Sequence, residues 1–127
     1  MLTSFQICIA IKRIYVHSSI YSEFLAAVVE ATKSFLVGDG LADGVAIGPI
    51  QNSMQYKRVQ GFLKDIEDEN LRMAVGQKEL STANKVGKGY FIYPTIIDNP
   101  PDESRIVQEE PFGNYVSAQK IFFKITN

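Results

Sequence analysis

The chain has a single cysteine, Cys8, and a single histidine, His17. A thiol attacks carbonyl carbon as thiolate, a form favoured where free N–H groups at a helix start, or nearby cations, stabilise the anion. Cys8 stands in Ser4-Phe5-Gln6-Ile7-Cys8-Ile9-Ala10, just ahead of the basic pair Lys12-Arg13, where a short helix can begin. The opposing reading is an inert core thiol packed among Ile7, Ile9 and Ile11, the commoner state of a cysteine with aliphatic neighbours. The residues by themselves leave both open. His17 lies nine positions further on, and catalytic partners meet in space rather than in sequence. A surface histidine at a strand end is nevertheless the commoner case than a Cys-His dyad.

Glu109-Glu110 offers two carboxylates for acid-base work, but adjacent side chains repel and point apart, which makes a solvated charge pair the default. The glycines of Gly38-Asp39-Gly40 and Gly44 lack both the spacing and the strand-to-helix setting of a dinucleotide fingerprint, so they read as turn glycines. One cysteine with one histidine cannot complete a tetrahedral zinc site, and no metal is expected.

Elements must place these groups. Residues 11–17 (IKRIYVH) are β-branched and aromatic and run into Ser18-Ser19, the pattern of a strand followed by a helix cap. A helix over 19–36 follows, with Ile20, Phe24, Ala27, Val28, Ala31 and Phe35 as its apolar stripe. Glycines and Gly48-Pro49 break the periodicity after it. A second amphipathic helix starts near Ser53, capped by Asn52 or Ser53, with Tyr56, Val59, Phe62, Leu63 and Ile66 on one side. Residues 71–75 and 90–97 read as strands, with a polar stretch over 76–89 between them and Pro94 marking an edge or a bulge. A helical turn begins at Asp102 or Ser104 and ends near Val107, and 115–123 close as a strand. Strands alternating with two main amphipathic helices predict an α/β fold.

The bulk numbers narrow the function classes. Thirteen basic against fourteen acidic side chains give a net charge of -1, which supplies no field for nucleic acid or anionic membranes. The apolar run 20–29 is too short and too charged to span a bilayer. Residues 1–12 lack the basic start and small-residue cleavage site of a secretory leader, and a lone cysteine forms no internal disulfide. A reducing, cytoplasmic setting is expected. At 127 residues one domain is the prior, and no repeat is visible.

Four stretches, in order, resemble the NAD(P)-dependent aldehyde dehydrogenase superfamily. Gln6-Ile7-Cys8-Ile9-Ala10 with Arg13 resembles its cysteine motif, and Gly48-Pro49 with Gln55 its glycine-proline turn and following helix. Gly89-Tyr90-Phe91 through Pro94-Thr95 resembles its Gly-Tyr…Pro-Thr strand, and Glu109-Glu110-Pro111-Phe112-Gly113 its Glu-Glu-x-Phe-Gly-Pro signature. The resemblance spans about residues 6–113. It implies Cys8 as the nucleophile, Glu110 on the nicotinamide ribose and Phe112 beside the nicotinamide. Gln55 and Arg58 would reach toward the same NAD or NADP, and an aldehyde would be the substrate.

The resemblance also implies what lies elsewhere. In the family a cofactor domain precedes the cysteine motif, together with the general-base glutamate and the asparagine that completes the oxyanion hole. The expectation is therefore that residues 1–127 are a partial catalytic domain, a fragment lacking its N-terminal cofactor domain and C-terminal remainder. Such a fragment would be inactive alone, or would act as a non-catalytic piece associating with a full-length homologue. Phe5 and Asn114 depart from the pattern, standing where the family has glycine and proline.

Overall fold

The computed structural model describes residues 6–76, 86, 88–113 and, as backbone, 115–121. Phe5, Asn114, most of the polar stretch 76–89 and the end of the closing strand at 122–123 lie outside the described residues.

Two hydrophobic clusters define the packing. One gathers Ile50, Val59, Phe62, Ile66, Ile92, Ile97, Ile106 and Val107. The other gathers Val37, Ile47, Val75, Tyr93 and Ile96, with Leu25, Val28 and Val29 against it. Between them stands a sheet of four strands among the described residues: β1 (Arg13–His17), β2 (Met73–Val75), β3 (Thr95–Asp98) and β4 (Tyr115–Ile121), ordered β1-β4-β3-β2. Successive strand side chains point to opposite faces. Ile96 and Ile97 of β3 accordingly enter different clusters, and all four β3 residues are buried.

β4 runs parallel to both neighbours, with Arg13 opposite Ser117 and Thr95 opposite Tyr115, whereas β2 is antiparallel to β3. Parallel neighbours need crossovers, normally helical ones that cover the sheet faces. α1 (Tyr21–Lys33) supplies residues to one face; α2 (Ser53–Asp68) and the short α3 (Arg105–Gln108) supply the other. The architecture is α/β.

Local sequence explains the bounds, and where it misled the cause is visible. The Asn52 side chain accepts from the Gln55 N–H at 2.9 Å and starts α2, whose whole expected stripe enters the core. In α1 the stripe is rotated from the expected one. Tyr21, Leu25, Val28, Val29 and Thr32 face inward, while Ile20 is 53% exposed and Phe35 38%. Both arcs of this helix are apolar, so spacing by itself does not choose between them. Neither serine caps it: the residue before α1 is Ile20, and the Ser19 hydroxyl instead contacts His17 Nδ1 at 2.7 Å. β3 begins at Thr95 rather than at 90, after Pro94, which has no N–H for a ladder.

Candidate active site

Cys8 is exposed and lies in a turn closed by the Ala10 N–H donating to the Ile7 carbonyl at 3.1 Å. No helix starts there. The core-thiol reading is also corrected: Ile9 is 84% exposed and Ile11 65%, so the aliphatic neighbours build a surface around the thiol rather than a core. His17 stands at the far end of β1, where its Nδ1 accepts from the Ser19 N–H at 3.2 Å. A strand advances about 3.3 Å per residue, which carries the imidazole away from the thiol's turn.

The signature stretch follows α3. Phe112 has a φ of 51°, a left-handed conformation that costs a bulky residue about 1–3 kcal/mol and survives only where its surroundings hold it. Gln55 of α2 supplies part of that hold, its side-chain amide donating to the Pro111 carbonyl at 2.8 Å and the Phe112 carbonyl at 3.1 Å. Arg58, one turn along, donates to the Glu109 carboxylate at 3.1 Å and the Glu110 carbonyl at 3.5 Å. Gly113 lies against the same helix, where an added Cβ would come within 3.1 Å of a Val59 methyl. Gln55 and Arg58 thus meet the strand of chain that carries Glu110 and Phe112 and fix its backbone.

Glu109 and Glu110 do part company. Glu109 pairs with Arg58 and, at 3.1 Å, with Arg105. The Glu110 carboxylate is exposed and, among the described residues, accepts no hydrogen bond that would divert it.

The other stretches join this one. The Gln51 N–H donates to the Gln6 side-chain oxygen at 2.9 Å, tying the thiol's turn to the loop after Pro49. From that loop the Ile50 N–H donates to the Tyr90 carbonyl at 2.8 Å, and the Tyr56 and Tyr90 rings stand 5.3 Å apart. Beyond the thiol, Lys12 Nζ donates to the Gly113 carbonyl at 3.1 Å and Arg13 Nη1 to the Val107 carbonyl at 2.6 Å. The basic pair was visible in the sequence; its partners, 101 and 94 positions away, were not. Among the described residues no group of three His, Cys, Asp or Glu side chains is placed to hold a metal ion, and no helix is long and apolar enough to cross a membrane.

A sequence model described as the aldehyde dehydrogenase family matches residues 1–121. The chain belongs to that family. It is 33% identical over 115 residues to succinate-semialdehyde dehydrogenase [NADP(+)] 2 of Schizosaccharomyces pombe, covering 91% of this chain and 22% of that enzyme. With human aldehyde dehydrogenase 1A1 it shares 37% identity over 108 residues, which cover 85% of the chain and 21% of the relative. The crystal structure of an aldehyde dehydrogenase from Bartonella henselae superposes with a TM-score of 0.83 at 28% identity, over 93% of this chain and 24% of that one. Betaine aldehyde dehydrogenase from Staphylococcus aureus in complex with NAD+ gives 0.78 at 28% identity, over 93% and 23%. The chain therefore spans under a quarter of the length of these aldehyde dehydrogenases.

Proposed function

We propose that residues 1–127 are the part of an NAD(P)-dependent aldehyde dehydrogenase catalytic domain that carries its nucleophile, Cys8, and one wall of its cofactor site. The observation that carries this reading is the set of hydrogen bonds Gln6–Gln51, Ile50–Tyr90, Gln55–Phe112 and Lys12–Gly113, which knits all four family-like stretches into one locality.

The Cys8 thiolate forms a bond to the carbonyl carbon of an aldehyde, and the π electrons move to oxygen, where the Cys8 backbone N–H donates to the oxyanion. A thioester on Cys8 follows, and water releases the carboxylic acid. NAD(P), when bound, supplies acceptance of the hydride that leaves the substrate carbon. The groups present fit such a ligand: the Glu110 carboxylate is free to accept from a ribose diol, and Phe112 offers a ring to a nicotinamide. Gln55 and Arg58 serve the same site by fixing the backbone of both.

The same reading makes the 127-residue chain inactive alone. A phosphate-binding helix start, a general base and the second oxyanion donor are what the rest of the family's length would contribute. Loss of a single oxyanion donor costs about 3 kcal/mol of transition-state stabilisation. The test is NAD(P)H absorbance with a panel of aldehydes, on protein shown to be folded by circular dichroism, beside Cys8→Ala. No turnover is expected, and Cys8-dependent reduction of the cofactor would overturn the inactivity.

Exposed Ile9 and Ile11 beside the thiol favour a second role, association with a full-length homologue that covers them. Co-purification with such a homologue, lost on Ile9→Asp, would support it.

A further inference from the structure

Lys12 takes no part in the chemistry above, yet its side chain ends in the middle of the site. Its ammonium donates to the Gly113 carbonyl at 3.1 Å and lies 5.9 Å from the centroid of the Phe112 ring, within the range where a cation is drawn to a π face. The Glu110 carboxylate attracts the same charge, while burial pulls the lysine's pKa down. These contacts fall on one short stretch, residues 110–113, which includes the left-handed Phe112. Gln55 grips that stretch from α2. Lys12 grips it from the segment that carries Cys8. Arg13, its neighbour, reaches the Val107 carbonyl at 2.6 Å, so two consecutive cations hold the start and the end of the stretch from α3 through the signature.

We propose that Lys12 is a positioning residue, a charged tether that sets Glu110 and Phe112 against the Cys8 turn and so sets the distance between thiol and cofactor. The inference rests on reading Cys8, Glu110 and Phe112 as one site. It requires both a donor, for the Gly113 carbonyl, and a positive charge, for the Phe112 ring and the Glu110 carboxylate. Arginine keeps both properties, glutamine keeps the donor without the charge, and methionine keeps only the bulk of the stem.

The test uses the chain's single cysteine. A nitroxide on Cys8 is read through paramagnetic broadening of the backbone amides of Glu110, Phe112 and Gly113, with Gln51 as internal reference because its N–H is held by Gln6 independently of Lys12. Lys12→Met should lower the broadening at the three signature amides several-fold and leave Gln51 unchanged, and Lys12→Arg should restore it. Unchanged broadening at all four amides in Lys12→Met overturns the tether. A fall at Gln51 as well overturns it too, since that is general loosening. If the wild-type chain broadens Gln51 but none of the three signature amides, the single-site reading itself fails and the tether with it. Should Lys12→Met not fold, Lys12→Gln against Lys12→Arg decides: the tether needs glutamine to lose the broadening and arginine to keep it.

Discussion

Phe112 shows at the level of one residue how much of this structure serves a backbone in an unfavourable region. Its φ of 51° is held partly by the Gln55 amide, so Gln55→Ala leaves two carbonyls to find water and the strain less supported. Urea denaturation should record a loss of about 1–2 kcal/mol, and a change within a few tenths would show that the loop keeps its shape without this contact. A second buried contact gives a pH test. The Tyr21 hydroxyl donates to the Asp98 carboxylate at 2.5 Å, and Arg72, at 3.0 Å, lies on the same carboxylate from the solvent side. Burial first, then the hydrogen bond and charge of Asp98, push the tyrosine's pKa well above its ordinary value. A raised pKa means the folded state holds the proton more tightly. The stabilisation is therefore complete below the unfolded value near pH 10 and is lost as pH rises above it. Tyr21→Phe should cost about 1–3 kcal/mol at neutral pH, and its deficit against wild type should shrink from about pH 10 upward. A deficit constant through pH 11 would exclude the linkage.

Helices and strands obey rules that a sequence states with unequal clarity. Asn52→Ala removes the α2 cap and should lower stability by about 1 kcal/mol. Phe62→Ala, which opens a cavity at a wholly buried site, should cost about 3–5 kcal/mol, both changes being read by urea denaturation. A small effect at Phe62 would mean that the α2 face repacks. Phe62 was readable beforehand, since a stripe with one apolar arc has one inward face, and the cap was narrowed to Asn52 or Ser53, of which the structure uses Asn52. α1 was placed but its inward face was not, because Ile20 and Phe24 on one arc resemble Leu25 and Val29 on the other. The thiol's surroundings left two readings open for a related reason: Ile7, Ile9 and Ile11 have the same composition whether they fill a core or form a surface for something else to cover. Strand order was beyond reach. Periodicity reports which face of a strand is buried and carries nothing about which strand lies beside it. The family was legible through the four stretches, whereas the fastenings between them, Lys12 to Gly113 and Arg13 to Val107, join residues too far apart in sequence for spacing to announce them.

Across the whole molecule, the order of strands in space and their order along the chain disagree in a way that governs time as well as shape. β4 comes last in sequence yet lies between β1 and β3, parallel to both. The sheet cannot be zipped from one end. Among the described residues β1 has no neighbour in the sheet until β4 arrives, and the long loop between them must be closed before any ladder bond rewards it. α2, whose bonds are local, has no such wait. In pulsed hydrogen exchange during refolding, the α2 amides should gain protection in an early phase, and those of β1 and β3 facing β4 together in a later one. Protection of β1 alongside α2 would show that it finds some other early partner. During synthesis the consequence is sharper. Until Tyr115–Ile121 leaves the ribosome, the edges of β1 and β3 that face β4 lack this partner, and unpaired strand edges are where a nascent chain is most open to wrong pairing.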